Sequence, residues 1–440
     1  MSRRGPREVQ LTIATLSAEG LGEGCFESRA VKARNALPGE AVHVWVRKRR
    51  AGVWFGEAES PAEPSVQRQA APCGVFPRCG GCALQHLQYP HQLAHKAARL
   101  QAELGAHGVL PERIRPPVSA AQLHYRYKAR LGVRVVDGEV LVGFREGFSN
   151  RIVRMSDCKT LALPFVRMLP RLKEALGRLR EPDRIPQIEL AGGDRAFAVV
   201  VRHLAELDPQ DHRVLAEFAR VSGMRVYLQP GGHDSVTRLD DAGTPYLSYT
   251  NADFGLCYQF LPTDFTQVNP LANRALVRAA LLGLGARPGT TATDMFCGIG
   301  NFSLALASTG VRVHGYEGAI GAVERARLNA RLNGLTARAE FAATDLYDAR
   351  CPDLPETDYL LLDPPRSGAG VNLRRWADWQ KLERIAYVSC NPHTFAADAA
   401  LLQSRGFCLE EVGIFDMFPH TAHVETLGIF ARAPGAVPRG

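Results

Sequence analysis

Two side chains far apart in the chain could together run a covalent reaction. "AYVSCNPHT" (386–394) is a short β-like run that ends in Cys390 and is shut off by Asn391-Pro392. A cysteine at a strand end is ordinarily a small hydrophobe. As a thiolate it is also a nucleophile, able to add to an electron-poor carbon and divide one hard step into easier ones. A free thiol, with a pKa of about 8.5, is only a few per cent ionised at neutral pH, so its surroundings must help. Glu425 lies 35 residues further on, in the otherwise apolar run "HVETLGIF". A carboxylate in an apolar setting has its pKa raised toward values suited to taking a proton. The plain alternative is a salt-bridged edge glutamate, and the thiol upstream favours the chemical reading.

The elements around these residues say what they would act on. From about residue 263, strand-like runs ("TTATDMF", "VRVHGYE", "DYLLLD", "RIAYVSC") alternate with helical runs. That alternation predicts an α/β domain with a doubly wound, mostly parallel sheet. "TATDMFCGIGNFSLALA" (291–307) reads as strand, glycine turn and helix start, and Glu317 follows Gly298 by 19 residues. An acidic residue at that distance can hold two ribose hydroxyls. "GIGNF" lacks the third glycine of a pyrophosphate loop, which favours a nucleoside ligand over a dinucleotide. "YLLLDPPRSG" (359–368) delivers Asp363 to the carboxyl edge of the sheet, where ligands bind, and two prolines stiffen the loop after it. Cys390 comes 27 residues after Asp363, at the end of the next strand, and so at the same edge. A thiolate adding to C6 of a uracil makes C5 enolate-like, able to attack a sulfonium methyl; a base must then remove the C5 proton. Arg366 stands where amino-directed methyltransferases place an aromatic after Asp-Pro-Pro, which lowers an exocyclic amino target.

"FTQVNP" (265–270), "DMFCGIGNFSLALA", "LLDPPRSG", "SCNP" and "HTAHVETL" occur in the order of the RNA uracil-5-methyltransferase family, which this chain resembles. It looks like the branch acting on 23S ribosomal RNA, whose members carry an N-terminal TRAM barrel and an iron–sulfur cluster. The resemblance implies a Rossmann-type methyltransferase domain, Cys390 as nucleophile and Glu425 as proton acceptor. It also implies that Gln267, Phe296, Asn301, Glu317, Asp345 and Asp363 contact S-adenosyl-L-methionine. The implied target is uridine 1939 of 23S rRNA, with another 23S or tRNA uridine as the alternative. "HTFAAD" after "SCNP" and Asp-Pro-Pro-Arg for Asp-Pro-Ala-Arg depart from the branch pattern and touch subfamily more than chemistry.

"CGVFPRCGGC" places Cys73, Cys79 and Cys82 together, and Cys158 is the best available fourth thiolate. Four thiolates suit zinc or iron–sulfur, and spacing leaves the two even. The resemblance, down to "CGGCALQH", implies a [4Fe-4S] cluster. A radical use of S-adenosylmethionine would call for a C-x3-C-x2-C spacing; the spacing here and the fourth cysteine indicate a closed, structural cluster.

The remaining chain supplies the platform. Residues 8–60 read as short strands with glycine turns, a small OB-like β-barrel. The chain carries a net charge of +8, and residues 1–50 hold ten Lys/Arg against five Asp/Glu. A basic barrel favours a polyanion. Residues 60–72 read as a linker, and 89–108 as a helix that packs on the catalytic domain. The division expected is 1–65 barrel, 66–262 central α+β domain with the cluster, 263–440 methyltransferase domain. Arg126, Lys128 and Arg130 are expected to meet phosphates, and Tyr125 and Tyr127 to stack on bases or pack in the core. No apolar run is long enough for a membrane span and no signal segment is present, so the expectation is a cytoplasmic monomer whose partner is 23S rRNA. A non-catalytic rRNA-binding factor is the rival from another class, disfavoured because nucleophile, base and cofactor residues coexist.

Overall fold

A computed structural model describes residues 8–240, 243–349, 351 and 354–433. Strands Glu8–Leu16, Gly22–Phe26, Arg29–Arg34, Ala41–Arg50 and Val53–Ala58 close into a five-stranded barrel. Val9, Leu11, Ile13, Val31, Val42 and Val44 alternate inward to fill it, as the period of two requires. The segment at 60–72 is tied down rather than loose. Arg68 donates to both Glu40 carboxylate oxygens (2.7 and 2.6 Å), and Gln69 N donates to His86 O (2.9 Å). Its composition is that of a linker, but the backbone partners come from far along the chain.

A six-stranded central sheet comes next, with Lys128–Val136, Glu139–Gly143, Gln187–Gly192, Phe197–Arg202, Arg225–Gln229 and Thr237–Arg238, and helices Leu163–Gly177 and Pro209–Ser222 pack on it. Asp137 and Gly138, both at positive φ, make the tight turn between its first two strands.

The largest sheet has eight strands. In spatial order they are Ala339–Ala343, Arg312–Glu317, Thr291–Met295, Tyr359–Leu362, Arg384–Ser389, Glu425–Arg432, Phe407–Phe415 and Arg113–Ile114. The first five run parallel and Glu425–Arg432 lies antiparallel. Chain order reverses direction between Thr291–Met295 and Tyr359–Leu362, the switch point where ligands bind. Besides strand Arg113–Ile114, two more segments from outside residues 263–440 join this unit. Helix Tyr89–Ala106 packs on helix Pro392–Ser404, and hairpin Leu247–Phe260 packs on helix Ile320–Leu332. Each has an apolar side (Leu100 and Leu104; Leu256 and Tyr258) that completes the core of the large sheet.

Candidate active site

The edge of the large sheet gathers the chemistry. Asp363 follows the Tyr359–Leu362 strand directly, and Cys390 follows Arg384–Ser389. Ser389 pairs with Thr426 at the end of the antiparallel ladder, and the residues just beyond that pair are Cys390 and Glu425. The two come close enough for the carboxyl to act on the thiol's ionisation. Glu425 is 3% exposed. Burial raises its carboxyl well above the ordinary range, Asp363 nearby adds to this, and Arg366 opposes it. Burial likewise lifts Asp363 to about 7. Cys390 is half-buried, and its thiol is pushed up by burial and then by Glu425; the Arg366 guanidinium pulls it back down.

Arg366 is the cation the sequence does not reveal as the thiol's partner. Its Nη2 donates to His423 Nδ1 (3.0 Å), and burial together with Arg366 holds that imidazole neutral with a pKa of about 4. A neutral ring accepts the hydrogen bond and leaves the positive charge on the guanidinium. The loop is fastened on its other side, where Asn391 Nδ2 donates to Arg366 O (3.0 Å). Asn391 also caps helix Pro392–Ser404, accepting from His393 N, with Pro392 in the first turn. Cys390 therefore sits just before a helix N-terminus, whose dipole favours a thiolate.

The glycine loop lies at the switch point. Gly298 and Gly300 have φ of +54° and +91°, and Phe296 has φ of +65°, a strained setting for an aromatic residue. Gly298 N donates to Glu317 Oε2 (3.2 Å). Asn301 exchanges hydrogen bonds with Asn273 (2.9 and 3.0 Å), and its Oδ1 also accepts from Tyr249 (3.1 Å). Asp345 is exposed two residues beyond the Ala339–Ala343 strand, and Thr344 N donates to Glu317 O (2.9 Å). Gln267 lines a cleft with Tyr127, Tyr249, Asn273 and Arg274, and Tyr249 and Asn273 connect it to Asn301 of the glycine loop. In that connecting segment Phe265, the first residue of "FTQVNP", is 74% exposed, though the sequence reading gave it no role.

The four cysteines converge as well. Cys73, Cys79, Cys82 and Cys158 line one cavity, walled by Phe76, Phe144 and Met155. Arg34 reaches over from the barrel and donates to the carbonyls of Pro77, Cys79 and Cys82 (2.6, 2.6 and 2.5 Å). Burial pushes the Cys79 and Cys82 thiols up to about 11 and about 12, with Cys158 adding to both. Among the described residues no three His, Cys, Asp or Glu side chains are placed to hold a metal ion.

Of the expected RNA contacts, Lys128 is corrected, and Tyr125 takes the second of its two expected places, in the core. Tyr125 is 2% exposed and donates to Pro419 O (2.9 Å), so it cannot stack on a base. Lys128 donates to Pro262 O (2.9 Å) and pairs with Glu189 (3.7 Å), so its charge is used internally. Alternation along a strand suggested exposure, but a neighbouring loop covers that face. Arg130 stays at the surface, and Tyr127 faces the Gln267 cleft.

The strand order and the glycine loop at the switch point define a Rossmann-type methyltransferase fold. The family profile described as tRNA (Uracil-5-)-methyltransferase matches residues 247–433. The 23S rRNA (uracil(1939)-C(5))-methyltransferase RlmD of Aromatoleum aromaticum is 42% identical, with 96% of this chain and 99% of that protein covered. The protein of the same name from Alkalilimnicola ehrlichii is 43% identical over 98% of each chain. The crystal structure of Pyrococcus abyssi tRNA (uracil-54, C5)-methyltransferase with S-adenosyl-L-homocysteine superposes with a TM-score of 0.75 at 24% identity, covering 96% of this chain and 100% of that one. The chain belongs to the uracil-5-methyltransferase family.

Proposed function

We propose that this chain transfers a methyl group from S-adenosyl-L-methionine to C5 of a uridine in 23S ribosomal RNA, the uridine being 1939 as in its relatives' names. The observation that carries the reading is the meeting of Cys390 and Glu425 at the end of one ladder, beside Asp363 and Arg366. The target base must be turned out of its stack, because C6 is inaccessible within one. The Cys390 thiolate, eased by Arg366 and the helix N-terminus, forms a bond to C6. The C5 so activated takes the sulfonium methyl, and S-adenosylhomocysteine leaves. The Glu425 carboxylate then accepts the C5 proton, C5=C6 re-forms, and the C6–S bond breaks to return the thiolate. A raised carboxyl pKa makes Glu425 the stronger base once ionised.

Glu317 would hold the ribose, Phe296 and Asp345 the adenine end, and Asn301, Gln267 and Asp363 the remainder of the methyl donor. Glu317 accepts from Gly298 N and Ala319 N, and the first of these contacts is one a ribose hydroxyl could replace. Phe265, exposed on the Gln267 loop, is available to stack on the turned-out base. Cys73, Cys79, Cys82 and Cys158 would hold a [4Fe-4S] cluster, which would neutralise the buried thiols as bound thiolates and knit the loop. In this reading residues 1–65 are a TRAM-type barrel gripping RNA, 66–262 the cluster domain and 263–440 the methyltransferase domain of a cytoplasmic monomer. Among the described residues no helix is long and apolar enough to cross a membrane.

The test is tritium release from a 23S rRNA fragment labelled at uracil C5. Wild-type protein with S-adenosylmethionine should release tritium, and Cys390→Ala should release none. Turnover surviving in Cys390→Ala would refute the mechanism; methylation at an exocyclic amine would refute the substrate assignment.

A further inference from the structure

The segment that delivers Glu425 is irregular. It leaves strand Phe407–Phe415 and returns at Glu425 with no helix or strand between. It is nevertheless held from one side by a single helix. Gln92 Oε1 accepts from His420 N (3.0 Å), and Gln92 Nε2 meets His420 Nδ1 (3.2 Å) while donating to Leu87 O (2.8 Å). Lys96 Nζ donates to Asp416 Oδ1 (2.7 Å) and Phe418 O (3.0 Å). Tyr89 OH donates to Asp416 Oδ2 (2.9 Å). Residues 89, 92 and 96 fall on one face of the helix. Gln92 is 0% and Lys96 1% exposed.

His420 is the point of greatest constraint. Its φ is +66°, a conformation that costs a non-glycine residue on the order of 1 kcal/mol or more and persists only where surroundings impose it. Its carbonyl accepts from both Ala83 N and Leu84 N (2.9 Å each), in the turn that leaves Cys82. The segment is thus clamped between the helix and the cysteine loop five residues before Glu425. Apolar residues at 92 and 96 would pack a helix against a sheet as well or better. A buried amide and a buried ammonium instead specify one path for the backbone.

We infer that Gln92 and Lys96 are positioning residues for proton removal from C5, acting through His420 and Asp416 on the placement of Glu425. The inference rests on the reading of Glu425 as base and goes beyond it. A misplaced base blocks the last step after the bond to Cys390 has formed, so the methylated adduct should persist. A residue needed only for folding would lose adduct and turnover together.

The test uses full-length protein, S-adenosylmethionine and the C5-tritiated rRNA fragment, scoring tritium release and the protein–RNA adduct on a denaturing gel. Calorimetry monitors S-adenosylmethionine binding. Gln92→Leu should slow tritium release on the order of tenfold or more while the adduct fraction rises and cofactor affinity is kept. Gln92→Glu, which retains an acceptor for His420 N, should recover part of the rate and keeps the test open if Gln92→Leu fails to fold. Adduct and release falling in parallel in the folded variants, or neither changing, would overturn the inference. Glu425→Gln separates the two claims. If it accumulates no adduct, the assignment of the base fails; if it does and the Gln92 variants do not, the positioning claim alone fails.

Discussion

At the scale of the residue, the reaction turns on how two acids share one small space. Burial raises the cost of ionising Cys390 and Glu425 alike; Glu425 adds to that of the thiol, and Asp363 to that of Glu425. Arg366 is the group that opposes this. Replacing it with methionine should move the pH dependence of Cys390 alkylation by iodoacetamide toward higher pH, because the thiol loses the cation that pulls its pKa down. A profile unchanged in Arg366→Met would remove Arg366 from the ionisation of the thiol. The same signs fix the direction for turnover: kcat/KM should fall as the pH is lowered, since both groups must be unprotonated and both are shifted upward.

At the scale of the element, helix Tyr89–Ala106 and the 416–424 segment depend on a buried ion pair. Lys96 and Asp416 lie 2.7 Å apart, both inaccessible to solvent. Burial lowers the Lys96 pKa and Asp416 restores part of it. Removing one partner leaves the other charge buried and unpaired, so Lys96→Met should destabilise the protein by about 3–5 kcal/mol in urea unfolding. Lys96→Met combined with Asp416→Leu should recover much of that loss. If the double variant is no more stable than the single, an unpaired charge is not the cause. Function separates from stability here, because the recovered double variant should still seat Glu425 poorly.

At the scale of the whole molecule, charge and architecture decide how RNA is met. The strand Ala41–Arg50 ends in a basic run whose Lys48 and Arg50 are exposed, on the barrel that Arg34 locks to the cysteine loop. Lys48→Ala and Arg50→Ala should each weaken binding of the rRNA fragment and flatten the slope of log K against log salt by about 1, the signature of a lost phosphate contact. A slope unchanged in both variants would take this edge of the barrel out of the interface.

Much of the architecture was legible in the residues, and so was the meeting of several strand-end side chains at one sheet edge, because both rest on local signals. Alternating strand and helix runs announce a doubly wound sheet, paired glycines announce a turn, and a residue at the end of a strand reaches the carboxyl edge whatever surrounds it. That logic is enough to bring Asp363, Cys390 and Glu317 to one rim. Exposure was less legible: Tyr125 and Lys128 alternate like surface residues, yet are covered by the loops carrying Pro419 and Pro262. Segment 60–72 reads as a linker but is held by Glu40 and by the cysteine loop's far end. By itself the sequence determined the chemistry available, since residue type sets what can attack, accept a proton or bind a thiophilic metal. Only the tertiary structure decided which cation stands by the thiol and which helix holds the segment leading to Glu425. Those partnerships join Arg366 to Cys390 and Gln92 to His420 across long stretches of chain, and such pairs are set by how layers pack rather than by any periodicity along one segment.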